Sequence, residues 1–343
     1  MTLAPVLLAA NQPADRFYRG GPRLAAFRGE RGAPASGDHV PEDWVASVTT
    51  QAGETSVGLT TLPPTAAGER RLLRSAIAAD PLGWLGSAHV EAFGTDPMLL
   101  VKLLDPGQRL PVHAHPDDDW AAAHLGQRHG KAEAWCILDP GEIFLGLRKS
   151  MTPARLLELI AAQDTDELLS LLHRREVAAG DTVYVPPGVL HAIGDGVMLA
   201  EVQQPADLSI LLEWRGFDVD GATDGHLGVG FDEALGALEL TARSDAEVDA
   251  LITRAGPNGS LLPTEAAPYF RAERYTFSGS QRLDKGYAVL VVTDGAVDLT
   301  FVGRRVALQG GDTLLVPYAA GPLELTGSAT VLVFRPPAPA VTR

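Results

Sequence analysis

The chain has 343 residues, room for about two domain-sized units with cores of their own. Lys and Arg number 28 against 43 Asp and Glu, and the resulting net charge of −15 opposes nucleic acid and anionic membranes as partners, which leaves a small molecule as the expected ligand. The single cysteine, Cys136, excludes an internal disulfide framework or a Cys-rich zinc site, so any metal would rest on histidine and carboxylate.

In chain order, "MTLAPVLLAANQPADRF" carries a short apolar run with no positive charge before it. No stretch approaches about eighteen consecutive apolar residues, so the run reads as an early strand and the protein as cytoplasmic. A helix is expected over residues 66–78. Then short β-rich runs recur: "PMLLVKLL", "AWCILD", "DTVYVPP", "VMLAEVQ", "LSILLEW", "YAVLVVT", "VDLTFV" and "DTLLVPY". Punctuated by Gly, Pro and Asp, they predict barrels or sandwiches. Among them, "GQRLPVHAHPDD" places His113 and His115 on one face of a strand over 110–115, as two imidazoles must be placed to share one metal. The clearest helix is "TPARLLELIAAQDTDELLSLL", with Thr152 as cap, Pro153 at the first helical position and a break at residues 163–166.

"GDTVYVPPG" at 180–188 recurs as "GDTLLVPYA" at 311–319, which predicts two copies of one β-unit. Only the first is followed by a histidine, His191, so the second reads as a sibling without metal ligands. Residues 217–225 form a Gly/Asp-rich turn and 226–258 read as mixed helix and loop. The expected organisation is a metal-binding unit over 1–216, a connection over 217–258 and a metal-free unit over 259–343.

Gly107 followed by the His113/His115 pair, and Gly180, Pro186, Gly188 and His191 in the second motif, resemble the paired signatures of the cupin superfamily. The glutamate that usually follows the histidine pair there is replaced by Asp118 or Asp119. "LLVKLLDPGQRLPVHAHPDD", "HGKAEAWCILD" and "GDTVYVPPGVLHAIGDGVMLAEVQQPAD" together resemble type I phosphomannose isomerase, more weakly extended by "PEDWVASVT" and by the C-terminal repeat. The resemblance implies a mainly β fold of two cupin-type jelly-roll barrels with a few short helices. It also implies a metal-dependent aldose-ketose isomerase acting on mannose 6-phosphate.

The same resemblance implies His115, Glu133 and His191 as metal ligands, with His113 where that family usually has glutamine. Such a set suits Zn2+ and also Mn2+, Fe2+ or Co2+. Alternation along "MLAEVQQ" turns Glu201 inward as a candidate base, with Lys131 and Arg215 as further catalytic candidates. Two positions that commonly contact phosphate in that family hold Pro111 and Leu211, so Lys102 and Arg109 are the cations left to hold it. His124 and His129 read as surface residues. A free sugar is an alternative substrate, and a metal-cupin oxidoreductase and a non-catalytic sugar-binding cupin are alternative functions.

Overall fold

The computed structural model describes residues 3–29, 37–64, 68–256 and 258–339. Strands dominate and pair antiparallel throughout the three sheets. The six-stranded sheet runs Ile252–Thr253, Thr182–Val185, Glu133–Ile137, Leu199–Gln203, Leu100–Leu104, Glu42–Val45, and the five-stranded sheet runs Ile210–Leu211, His113–Ala114, His191–Ile193, Gly141–Leu147, Leu172–Val177. The helices are short: ten α-helical segments occur among the described residues, none longer than the ten residues of Pro153–Ala162.

Register decides what the six-stranded sheet shows to each side. Trp135, Glu201, Lys102 and Trp44 form one row across four neighbouring strands, and Glu133 sits opposite Gln203 in a second row. Because side chains alternate, Glu42, Lys102, Glu133, Glu201 and Gln203 share a face with two tryptophans, while Val45, Val101, Leu103, Ala134, Ala200 and Val202 share the other. Both faces are buried. A polar face that is also buried must be satisfied from within, which is the constraint on the site.

The expected split helix is present. The Thr152 hydroxyl accepts from the Arg155 N–H, and Gln163 ends the first helix in the left-handed region at φ 50°. The Gln163 amide then donates to the Ile160 and Leu212 carbonyls and accepts from the Trp214 and Arg215 N–H groups, and Asp164 caps the helix Thr165–Ser170. Near residues 66–78 the helix is Leu73–Ala79, and residues 65–67 lie outside the described residues.

The C-terminal sheet is built on three long strands, Arg271–Leu283, Ala288–Phe301 and Leu323–Arg335, around an apolar core of residues such as Leu290, Val297, Leu299 and Val331. No histidine follows His226 in the chain. Two pairings cross the expected divisions. The N-terminal strand Val6–Leu8 pairs with Thr313–Val316 of the C-terminal sheet, and Ile252–Thr253 pairs with Thr182–Val185 of the six-stranded sheet.

The N-terminal segment is pinned at its glycines. Gly20 adopts φ 151°, and a Cβ there would meet the Asp105 carbonyl oxygen at 2.0 Å. The helix Pro22–Arg28 ends on a fully buried guanidinium: Arg28 pairs with Asp43 at 2.8 Å and donates to the carbonyls of Gly311 (2.5 Å) and Leu8 (3.0 Å). One side chain thus joins the six-stranded sheet, the N-terminal strand and the second repeat. Arg28→Ala strands the Asp43 carboxylate in the interior, and we expect a loss of about 3 kcal/mol, read as a lower urea midpoint at unchanged slope.

Candidate metal centre and substrate cavity

His113 and His191 face each other directly across neighbouring strands, and alternation brings His115 to the same side. The three rings lie 4.1 to 5.0 Å apart between centroids, and their candidate ligand nitrogens fall within 4.8 Å of one another. Each Nδ1 is committed to a backbone carbonyl: His113 to Pro111 at 2.8 Å, His115 to Leu208 at 2.6 Å, His191 to Val189 at 2.8 Å. A nitrogen facing a carbonyl must carry the proton, so each Nε2 offers a lone pair to the shared centre.

Glu133 lies beside the trio, with its oxygens 3.1 Å from His115 Nε2 and 3.2 Å from His191 Nε2. Once Nδ1 holds the proton, each of these contacts sets a lone pair against a carboxylate oxygen. His191 Nε2 is buried without a hydrogen-bond partner. Shared coordination to a cation relieves both conflicts, so the donor set fits a metal ion. Burial holds His113 well below the ordinary histidine range, helped by the neighbouring imidazoles, and burial followed by Lys131 holds His115 down at about 3. Both rings are neutral, as ligation requires. Among the described residues the three histidines are the one His/Cys/Asp/Glu group spaced to hold a metal.

Around this centre stands a ring of buried charge. Lys131 Nζ is 2.9 Å from Glu133 and 3.1 Å from His115 Nε2. Burial works against ionisation of Glu133, but the Lys131 ammonium beside it holds its carboxyl well below the usual range. Lys102 Nζ stands 3.8 to 3.9 Å from Glu42, Glu201 and Asp207 and 4.4 Å from the Trp44 ring centroid. Glu201 has a buried oxygen with no hydrogen-bond partner, and burial followed by the charge of Glu133 pushes its carboxyl up to about 7. Asp207, despite burial, is drawn down to about 2 by Lys102 and Arg16.

A small cavity lined by Lys102, His113, Lys131, Glu133 and Glu201 reaches this ring. It shares Arg16, Phe17, Asp207, Ser209 and Leu211 with a wide basin open to solvent. The structure therefore gathers His113, His115, Glu133, His191, Lys131, Glu201 and Lys102. Arg109 and Arg215 are not brought there. Arg109 forks onto Glu213 (2.8 and 2.5 Å), a carboxylate that also accepts from the Val112 N–H, and Arg215 rests on the Ala162 carbonyl. Neither lines the cavity or the basin.

Asp118 opens the helix Asp118–Leu125 and accepts from the Gly130 N–H and Gln204 amide instead of joining the trio. His124 is partly exposed beside Glu233, as a surface residue. His129 departs from the surface reading: it is buried, 2.6 Å from Asp96, because the turn carrying it folds back against the loop before Leu100–Leu104.

Sequence reasoning missed Arg16, Tyr18, Glu42 and Asp207. Glu42 accepts from Arg16 Nε (2.9 Å), the Tyr18 hydroxyl (2.7 Å) and the Trp44 indole (2.6 Å), and Arg16 followed by Lys102 keeps it ionised against the cost of burial. The available signal was "PEDWVAS", where an acidic residue alternates with tryptophan on one strand face.

No family model matches the chain. Curated relatives do. A mannose-6-phosphate isomerase of Bacillus subtilis is 32% identical over 244 residues, which span 68% of this chain and 74% of that protein. The chain belongs to the mannose-6-phosphate isomerase family. A second member, from Streptococcus mutans, is 29% identical over 262 residues, 74% of this chain and 79% of its own. Crystal structures carry the same fold: the Bacillus subtilis mannose 6-phosphate isomerase superposes with a TM-score of 0.72 at 22% identity, covering 97% of this chain and all of that one. A phosphomannose isomerase variant from Salmonella typhimurium gives 0.73 at 15%, with the same coverage. Membership makes the chain an isomerase, and no helix among the described residues is long and apolar enough to cross a membrane.

Replacing His191, whose Nε2 has no other partner, by Ala should weaken divalent-metal binding by at least about a hundredfold, measured by competition with a chromogenic chelator. In the intact chain, removing the metal with that chelator should lower Tm and adding it back should restore it, because the ion binds the folded state.

Proposed function

We propose that the chain interconverts mannose 6-phosphate and fructose 6-phosphate in the small cavity where His113 and Glu133 bring it up to the cluster they form with His115 and His191. The convergence of three Nδ1-anchored imidazoles on one point beside Glu133, in a chain of this family, carries the reading. These four residues would hold a divalent ion, for which the nitrogen-rich set favours Zn2+ with Mn2+, Fe2+ or Co2+ as substitutes. Such an ion supplies Lewis-acid stabilisation of oxygen charge when bound.

The protein's own groups handle the proton. Isomerisation removes a proton from C2 of the aldose and returns one to C1, while the hydroxyl protons shift between O1 and O2. Glu201 suits the carbon-bound proton. It is inside the cavity, its free oxygen makes no hydrogen bond, and its affinity for a proton lies near neutrality, where a base can both take and return one. Lys131, whose proton is held more tightly through Glu133 and Glu201 against the effect of burial, is placed to donate a hydrogen bond to oxygen that gains charge. The residues over 1–216 supply every group of this set, and we keep that stretch as the catalytic unit. A small-molecule sugar phosphate is the proposed partner, in the cytoplasm.

A free sugar is the second reading, favoured by Leu211 and Pro111 and by the sequestering of Arg109 and Arg215. A coupled assay on metal-loaded protein should show turnover of mannose 6-phosphate well above free mannose. No turnover of any hexose phosphate would end the phosphomannose reading. Glu201→Gln should lower kcat by about 10² to 10⁴ with a much smaller change in KM.

A further inference from the structure

Arg16 is nearly buried, with its guanidinium 5.8 and 5.9 Å from the Phe17 and Trp44 ring centroids, and its Nε donates to Glu42, but no hydrogen bond from either terminal Nη group exists among the described residues. The side chain lines both the small cavity and the wide basin, so it stands where the two meet. Lys102 is similar. It is 3% exposed, lines the small cavity, and its Nζ has three carboxylates at 3.8 to 3.9 Å but no hydrogen bond among the described residues.

Neither Nη is among the fully buried polar atoms that lack a partner, so both keep access to the basin, as donors that make no hydrogen bond to the protein and are free for whatever fills the junction. Building on the isomerase reading, we propose that the Arg16 Nη groups, with Lys102 behind them, bind the phosphate of the substrate at the junction of cavity and basin. The Glu42–Tyr18–Trp44 cluster holds the guanidinium in place by its Nε side. The planar fork of an arginine fits phosphate oxygens through two parallel donors, and Nη groups left free while Nε is anchored present that fork.

The placement agrees with the rest of the site. His113, Lys131 and Glu133 line only the small cavity, so the reacting carbons lie at its inner end and the far end of a hexose phosphate reaches back toward Arg16. Leu211, at the same junction, offers neither charge nor hydrogen bond, and Pro111 has no N–H to give. Asp207 also faces the junction and opposes an anion. Its charge is engaged by the Ala52 N–H at 3.0 Å and by Lys102.

Arg16→Gln and Arg16→Lys test the assignment in metal-loaded full-length protein, with metal content and Tm recorded for both. Arg16→Lys keeps the charge beside Glu42 and guards against misfolding of the other variant. Inorganic phosphate is the probe, titrated by calorimetry and as a competitive inhibitor. Its Kd should rise about tenfold to a hundredfold in Arg16→Gln and less in Arg16→Lys, and KM for mannose 6-phosphate should rise with it while kcat changes little. A folded, metal-replete variant of either kind with wild-type phosphate affinity overturns the proposal, even if the wild type turns over mannose 6-phosphate. If the wild type binds no phosphate and isomerises no phosphosugar, the functional reading falls along with it.

Discussion

Three imidazoles meet at one point only because each has its other nitrogen tied to a main-chain carbonyl. The carbonyls belong to Pro111, Val189 and Leu208, in the turns or at the strand ends packed beside the histidines, so the rings are oriented by the same backbone that forms the five-stranded sheet. Free rotation about χ2 would spread the lone pairs and weaken any shared ligation; a fixed tautomer and ring plane hold the centre in readiness. The direct pairing of His113 with His191 sets their separation, and a one-residue slip of either strand would send its histidine to the opposite face.

From that centre outward, the problem the structure solves is how to keep charge out of water. Arg16, Lys102 and Lys131 face Glu42, Glu133, Glu201 and Asp207 inside one cavity. Each cation is within ion-pair distance of at least one of these carboxylates, yet the pairing is incomplete in a selective way. Where the substrate is expected, donors and acceptors are left over: the Arg16 Nη groups, Lys102 Nζ and one oxygen of Glu201. Arg109, outside the cavity, is by contrast closed off by Glu213.

Much of this was legible in the sequence, and the divide follows the range of the interactions involved. The His113/His115 pair is readable because alternation along a strand is local, Glu133 and His191 came as ligand candidates only with the family resemblance, and the split helix is readable because Thr152 and Gln163 act within a turn of themselves. Glu201 could be turned inward by alternation alone. Arg109 and Arg215 went astray because nothing local tells which of two nearby cations a buried Glu213 will capture. Arg16 and Glu42 escaped notice because their role depends on a segment far from the histidines in sequence, seated by Gly20 against Asp105. His129 was misread for the same reason, its partner Asp96 being 33 residues away.

The strand Val6–Leu8 and the Arg28 guanidinium both fasten to the second repeat, at Thr313–Val316 and Gly311. During synthesis the histidines, Glu133 and Glu201 emerge long before that repeat, and the strands of the five- and six-stranded sheets can gather around them. The N-terminal segment, already seated by Gly20 against Asp105, gains its anchors on the C-terminal sheet only once residues 311–316 have been made. The nascent chain would thus gather its metal-competent pocket before the strand Val6–Leu8 is locked onto the second repeat, an order imposed by contacts of very long sequence separation.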